Sequence, residues 1–174
     1  AVIYAGLASK EADAAAKAAL MQKANEKLAV VKAAKDDTLD WDAEFAKASS
    51  GAAELQAKAD AGPSNDNIVA LKKQVAANKE DTTALFNLAM AYQEVGNWDG
   101  AALAWQKMND LLPTWEPAYY SKGYALQQAG YKELAAVAFQ KYIDVALTKT
   151  PAEQQALQET LFGAYYSVAY LLHT

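Results

Sequence analysis

The chain has 174 residues, enough for one domain with a sizeable core, and carries a formal net charge of -5. All 16 of its basic residues are lysines, so the bidentate arginine fork that reads phosphates and bases is missing, and with no basic stripe to replace it nucleic acid is not an expected partner. The lack of cysteine excludes disulfides, thiolate metal sites, haem attachment and a Cys nucleophile, and an alanine-rich composition with only 4 prolines and 8 glycines predicts an all-α fold.

The first segment, "AVIYAGLASK", opens on an apolar run of roughly seven residues, well short of the roughly twenty that span a bilayer. Because Ala1 stands where an initiator Met would, the segment reads as a mature terminus left by signal cleavage. That reading predicts an exported protein, periplasmic or extracellular. The alternative is a membrane tether upstream of residue 1. From Val2 to about Lys35, the residues Ile3, Leu7, Leu20, Ala24, Leu28 and Val31 recur at roughly helical spacing, predicting one long helix or two collinear ones.

"KDDTLDWD" breaks that pattern. Asp37 or Thr38 is placed to cap a second helix carrying Trp41 and Phe45, with Asp40, Asp42 and Glu44 near its positive end. The cluster lacks the glycine and the closing glutamate of an EF-hand loop, so it reads as a capped, solvated first turn rather than a Ca²⁺ site. Residues 1–60 are thus an N-terminal helical extension. "AGPSNDN" at 61–67 is a linker, and Ser64, Asn65 or Asp66 then caps a helix holding Ile68, Leu71 and Val75.

Beyond this point the pattern tightens into helix pairs. Asp81 is placed to cap a helix from Thr82 to Val95, Gly96-Asn97 turns the chain, and a second helix runs from Asp99 to Leu112 before Pro113. The plan returns with Pro117 to Ala129, a turn at Gly130, and Lys132 to about Leu147. "TKTPAE" starts the last helix, with Thr150 as N-cap and Glu153 closing a capping box, and that helix is expected to run nearly to His173. Laid over each other at an offset of 34 residues, the pairs match Ala84 with Ala118, Gly96 with Gly130, Ala101 with Ala135 and Trp105 with Phe139.

A helix–turn–helix unit of this period resembles the tetratricopeptide repeat (TPR). Leu88, Ala89, Tyr92, Gly96, Trp98, Ala101, Trp105 and Pro113 carry the resemblance in the first unit, whereas Lys122, Lys132 and Tyr142 depart from it in the second. It implies a TPR-like solenoid over 68–174, with two full units at 82–115 and 116–149 and half units on either side.

No motif carries chemistry. The only histidine, His173, is next to the last residue, and there is no phosphate loop, dinucleotide fingerprint or nucleophile elbow. No catalytic residue, cofactor or metal is therefore expected. The resemblance implies instead a non-enzymatic interaction scaffold or assembly subunit that binds a peptide or helix, with the groove falling on Phe86, Met90 and Gln93 of the first unit and on Tyr120, Tyr124 and Gln127 of the second. The lysine and asparagine of the family's carboxylate clamp are replaced here by Phe86 and Met90, leaving a neutral aromatic floor suited either to an apolar or Pro-containing segment or to residues 1–60 folding back into the groove.

The apolar ends suggest an alternative. Either the first helix packs on the last within one chain, or Val2, Ile3, Tyr4 and Leu7 at the head, with Leu161, Tyr165, Val168, Leu171 and Leu172 at the tail, join copies head to tail into an exported filament or ring. In the second case the protein partner would be another copy of the chain.

Overall fold

The structure, a computed structural model, describes residues 52–173. The expected helices over Val2–Lys35 and around Trp41 and Phe45 lie outside the described residues, as do Val2, Ile3, Tyr4 and Leu7. Within them the chain is all-helical: α1 (Ala52–Ala61), α2 (Asp66–Ala77), α3 (Thr82–Glu94), α4 (Trp98–Leu111), α5 (Glu116–Gln128), α6 (Lys132–Ala146), α7 (Pro151–Ala156) and α8 (Gln158–His173).

Local chemistry accounts for most of the boundaries. Asn65 accepts from the Ile68 backbone N–H at 2.9 Å, and Asp81 does the same for Ala84, so α2 and α3 both start on a side-chain cap. Helices α3 and α5 both end in a Schellman turn on a left-handed glycine, Gly96 at φ 75° and Gly130 at φ 88°. In the first, the Asn97 N–H donates to the Tyr92 carbonyl at 2.9 Å and the Gly96 N–H to Gln93 at 3.1 Å; in the second, Tyr131 donates to Leu126 and Gly130 to Gln127 at the same two distances. The helix pair therefore recurs in its hydrogen bonds as well as in its residues.

The core is continuous through these pairs. Small residues sit where helices meet: Ala89, Ala101, Ala118 and Ala135 are fully buried, and large ones beside them, Tyr92, Trp105, Leu126 and Phe139, fill the remaining space. Each helix from α2 to α5 packs on the next, and α8 returns to pack on α6. At Gly123 of α5 the approach of α6 leaves no room for a side chain. A Cβ there would lie 2.9 Å from the Phe139 ring, inside contact distance.

Two arrangements differ from a plain reading of the residue pattern. Helix α1, at the end of the expected extension, packs against α4. The last helix, expected to be unbroken, is divided at Leu157, whose φ of -89° and ψ of 4° leave the helical range. Helix α7 buries none of its own residues and is held by polar contacts instead. Thr150 and Glu153 form the capping box, and the Gln154 amide donates to the carbonyls of Leu147 and Lys149 at 3.1 and 2.7 Å, filling acceptors at the end of α6. Helix α8 is held by apolar packing on α6. The break separates one mode of anchoring from the other.

Candidate partner-binding face

The groove residues expected from the sequence form two equivalent stripes, one on α3 and one on α5, each with spacing i, i+4, i+7. On α3, Phe86 is 38% and Met90 40% exposed, although both are large and apolar, and Gln93 is half-buried. The Phe86 ring meets Trp105 edge-on at 5.5 Å and Trp115 at 6.5 Å. Trp105 and Trp115 lie 6.5 Å apart, so the three rings close on one another. Phe86 and Trp115 bound an open hollow of about 310 Å³ that Thr82, Met108 and Leu112 also line.

On α5 the equivalent residues divide. Tyr124 is 44% exposed and leans edge-on against Trp98 at 5.8 Å. Tyr120, one turn earlier, is packed: its ring meets Phe139 at 5.4 Å and Tyr142 at 5.2 Å, both edge-on. Its hydroxyl lies 3.2 Å from where a Cβ on Gly163 of α8 would stand. Tyr120 is therefore wedged between α6 and α8. Gln127 is half-buried on the same stripe.

The apolar residues of the tail are placed differently from the expected assembly surface. Leu161, Tyr165, Val168 and Leu171 form the stripe of α8 that is buried in the core with α6, and burial pushes the Tyr165 phenol up to about 12. They are spent on intrachain packing and are not a free interface. The exposed aromatics of α8 are Tyr166 and Tyr170, stacked 6.2 Å apart with planes 10° from parallel. The side chain of Leu172 lies outside the described residues.

Polar anchors hold this framework. Asn97, nearly fully buried, accepts from the Gly100 N–H at 2.9 Å and donates to the carbonyls of Ala59 and Pro63 at 2.8 and 3.0 Å, tying α1 and the following loop to α4. At the position 34 residues on, Tyr131 cannot cap; its hydroxyl donates to Asp99 and accepts from Lys58, both at 2.8 Å. Lys149 pairs with the buried Glu116 at 2.9 Å, joining the two ends of the second helix pair.

Lys122 occupies the position equivalent to Leu88. Burial holds its amine down at about 8, partly offset by the charge of Asp110, and it donates to the Gln106 side-chain carbonyl. Trp98 and Trp115 were missed as groove residues by sequence reasoning. Trp115 has no aromatic counterpart in the second pair, where Lys149 stands, so the offset carried no signal for it.

No protein-family model matches the chain, and no curated protein matches it significantly. Among the described residues no cluster of three His, Cys, Asp or Glu is placed to hold a metal ion, and no helix is long and apolar enough to cross a membrane.

Proposed function

We propose that the chain is a TPR-type interaction scaffold that does no chemistry and binds a peptide or helix across the exposed aromatic face of α3 and α5. The observation that supports this most directly is the exposure of Phe86, Met90 and Tyr124 along equivalent stripes, beside an open hollow bounded by Phe86 and Trp115. Large apolar side chains left uncovered along matching positions of successive units are what a ligand would desolvate. The rings are held by Trp98, Trp105 and Trp115, so little rotamer freedom remains to be lost on binding. No charged side chain stands among these exposed residues, which favours an apolar or Pro-containing segment over an acidic tail.

Selection from a displayed peptide library tests this reading. Binders whose affinity falls roughly tenfold or more in both Phe86→Ala and Tyr124→Ala, at unchanged helicity, would support it. Binders indifferent to both substitutions, or none at all, would reject it. Self-assembly is the second reading. The stacked, exposed pair Tyr166 and Tyr170 favours it, on a face of α8 other than the one expected from the sequence. Light scattering of Tyr166→Ser/Tyr170→Ser against the parent chain decides it: equal masses at all concentrations would exclude this surface.

A further inference from the structure

A second groove lies away from the aromatic face. Helices α2 and α4 each pack on α3, and between them a furrow of about 450 Å³ remains open. Its floor is apolar, with Leu88 from α3, Val75 from α2 and Leu103 from α4. Lysines stand on both walls: Lys72 on α2 and Lys79 in the turn just after it, and Lys107 on α4. Lys72 is paired with Asp60 at 2.8 Å, whereas Lys79 and Lys107 have no ion pair among the described residues. Asp110 is the only carboxylate among the residues lining the furrow. The Asp60 carboxylate also feels the charge of Lys107, yet an apolar floor flanked by three lysines calls for an occupant that carries both apolar side chains and carboxylates.

The chain holds such a segment a short distance away. Residues 36–45, "DDTLDWDAEF", combine Leu39, Trp41 and Phe45 with Asp36, Asp37, Asp40, Asp42 and Glu44. This segment lies outside the described residues. It joins α1, and α1 closes one end of the furrow with Gln56 and Ala59. The six residues 46–51 that connect Phe45 to Ala52 reach up to roughly 20–25 Å, longer than the roughly 8 Å that α2 rises from Lys72 to its end at Ala77. Length therefore permits the segment to reach the furrow from its own α1.

We propose that the furrow between α2 and α4 is the docking site of the chain's own segment 36–45, with its aromatic side chains on the apolar floor and its carboxylates toward Lys79 and Lys107. The contact is an intramolecular one that covers the furrow, and it is independent of the aromatic face on α3 and α5.

The chain contains no cysteine, so an engineered pair is unambiguous. Ala43→Cys with Ala76→Cys, the latter exposed on the α2 wall, is oxidised in the full chain at low concentration. Ala43→Cys with Lys141→Cys, on the exposed surface of α6, serves as the control. Rapid closure of an intramolecular disulfide in the first pair alone is expected. Lys79→Glu/Lys107→Glu, both exposed positions whose change leaves helicity intact, should slow closure about tenfold, and Asp40→Lys/Asp42→Lys in the same chain should restore it. Equal closure in both pairs, a disulfide that joins two copies, or closure indifferent to the charge reversal would each overturn the proposal.

Discussion

The Asn97 amide donates to the Ala59 carbonyl at 2.8 Å, bridging 38 positions of sequence. The same side chain caps α4, so one residue both starts a helix and fastens α1 to its side. Asn97→Ala leaves the Gly100 N–H and two carbonyls without partners, and the lost cap and buried bonds together should cost about 2–3 kcal/mol. The urea midpoint measures the total. Amide exchange locates it: amides of α1 should lose protection while those of α5 and α6 keep it. Gly62→Ala should weaken the same junction, because its Cβ would stand 2.7 to 2.9 Å from the Asn97 side chain.

Gly123→Ala sets helix propensity against packing. In an open helix the change gains about 1 kcal/mol. Here the added Cβ meets the Phe139 ring at 2.9 Å, and overpacking costs about 1–3 kcal/mol. The net effect should be a loss of melting temperature, and Phe139→Leu in the same chain should recover part of it. A gain in stability from Gly123→Ala alone would show that the two helices separate freely.

Lys122 predicts a specific pH dependence. Its amine is held at about 8 in the folded chain, below its ordinary 10.5, because burial penalises the charged form. Between these two values the unfolded chain binds the extra proton, so stability rises with pH through that window, while below pH 8 the penalty is present in full. Lys122→Met should therefore stabilise the protein at pH 7, by an amount on the order of 1–3 kcal/mol. The gain should shrink steadily toward pH 10.5. Subtracting the two denaturation curves cancels the titration of the buried tyrosines, which both chains share.

Tyr120 and Tyr124 occupy neighbouring turns of one stripe but should answer truncation differently. Tyr120→Ala removes two edge-on ring contacts and opens space beneath α8, at a cost of about 3–5 kcal/mol. Tyr124→Ala removes one contact from an exposed ring and should cost about 1 kcal/mol or less. Thermal denaturation of the two single variants checks the contrast. Similar losses in both would mean that the exposed ring of Tyr124 is buried in solution.

What the sequence determined by itself was carried by interactions a few residues apart. Asp81 and Asn65 as caps, the capping box of Thr150 and Glu153, and the turns on Gly96 and Gly130 all depend on bonds that close within six residues. The local residue types specify them wherever the segment lies. The helical periodicity and the offset of 34 residues are of the same kind, and they also put Phe86 and Tyr120 on matching stripes. Which side chain on those stripes is free was settled only by tertiary packing. Tyr120 is covered because α8 folds back over α6, and Leu161, Tyr165, Val168 and Leu171 are consumed by the same contact. Nothing within a few residues of any of them encodes that return. Asn97 could be read as a turn residue; its bond to Ala59 depends on α1 reaching α4 from 38 positions away. A long-range neighbour is chosen by the shape and burial of the whole array, so one position of the stripe is packed in the second helix pair, as Tyr120, and open in the first, as Phe86.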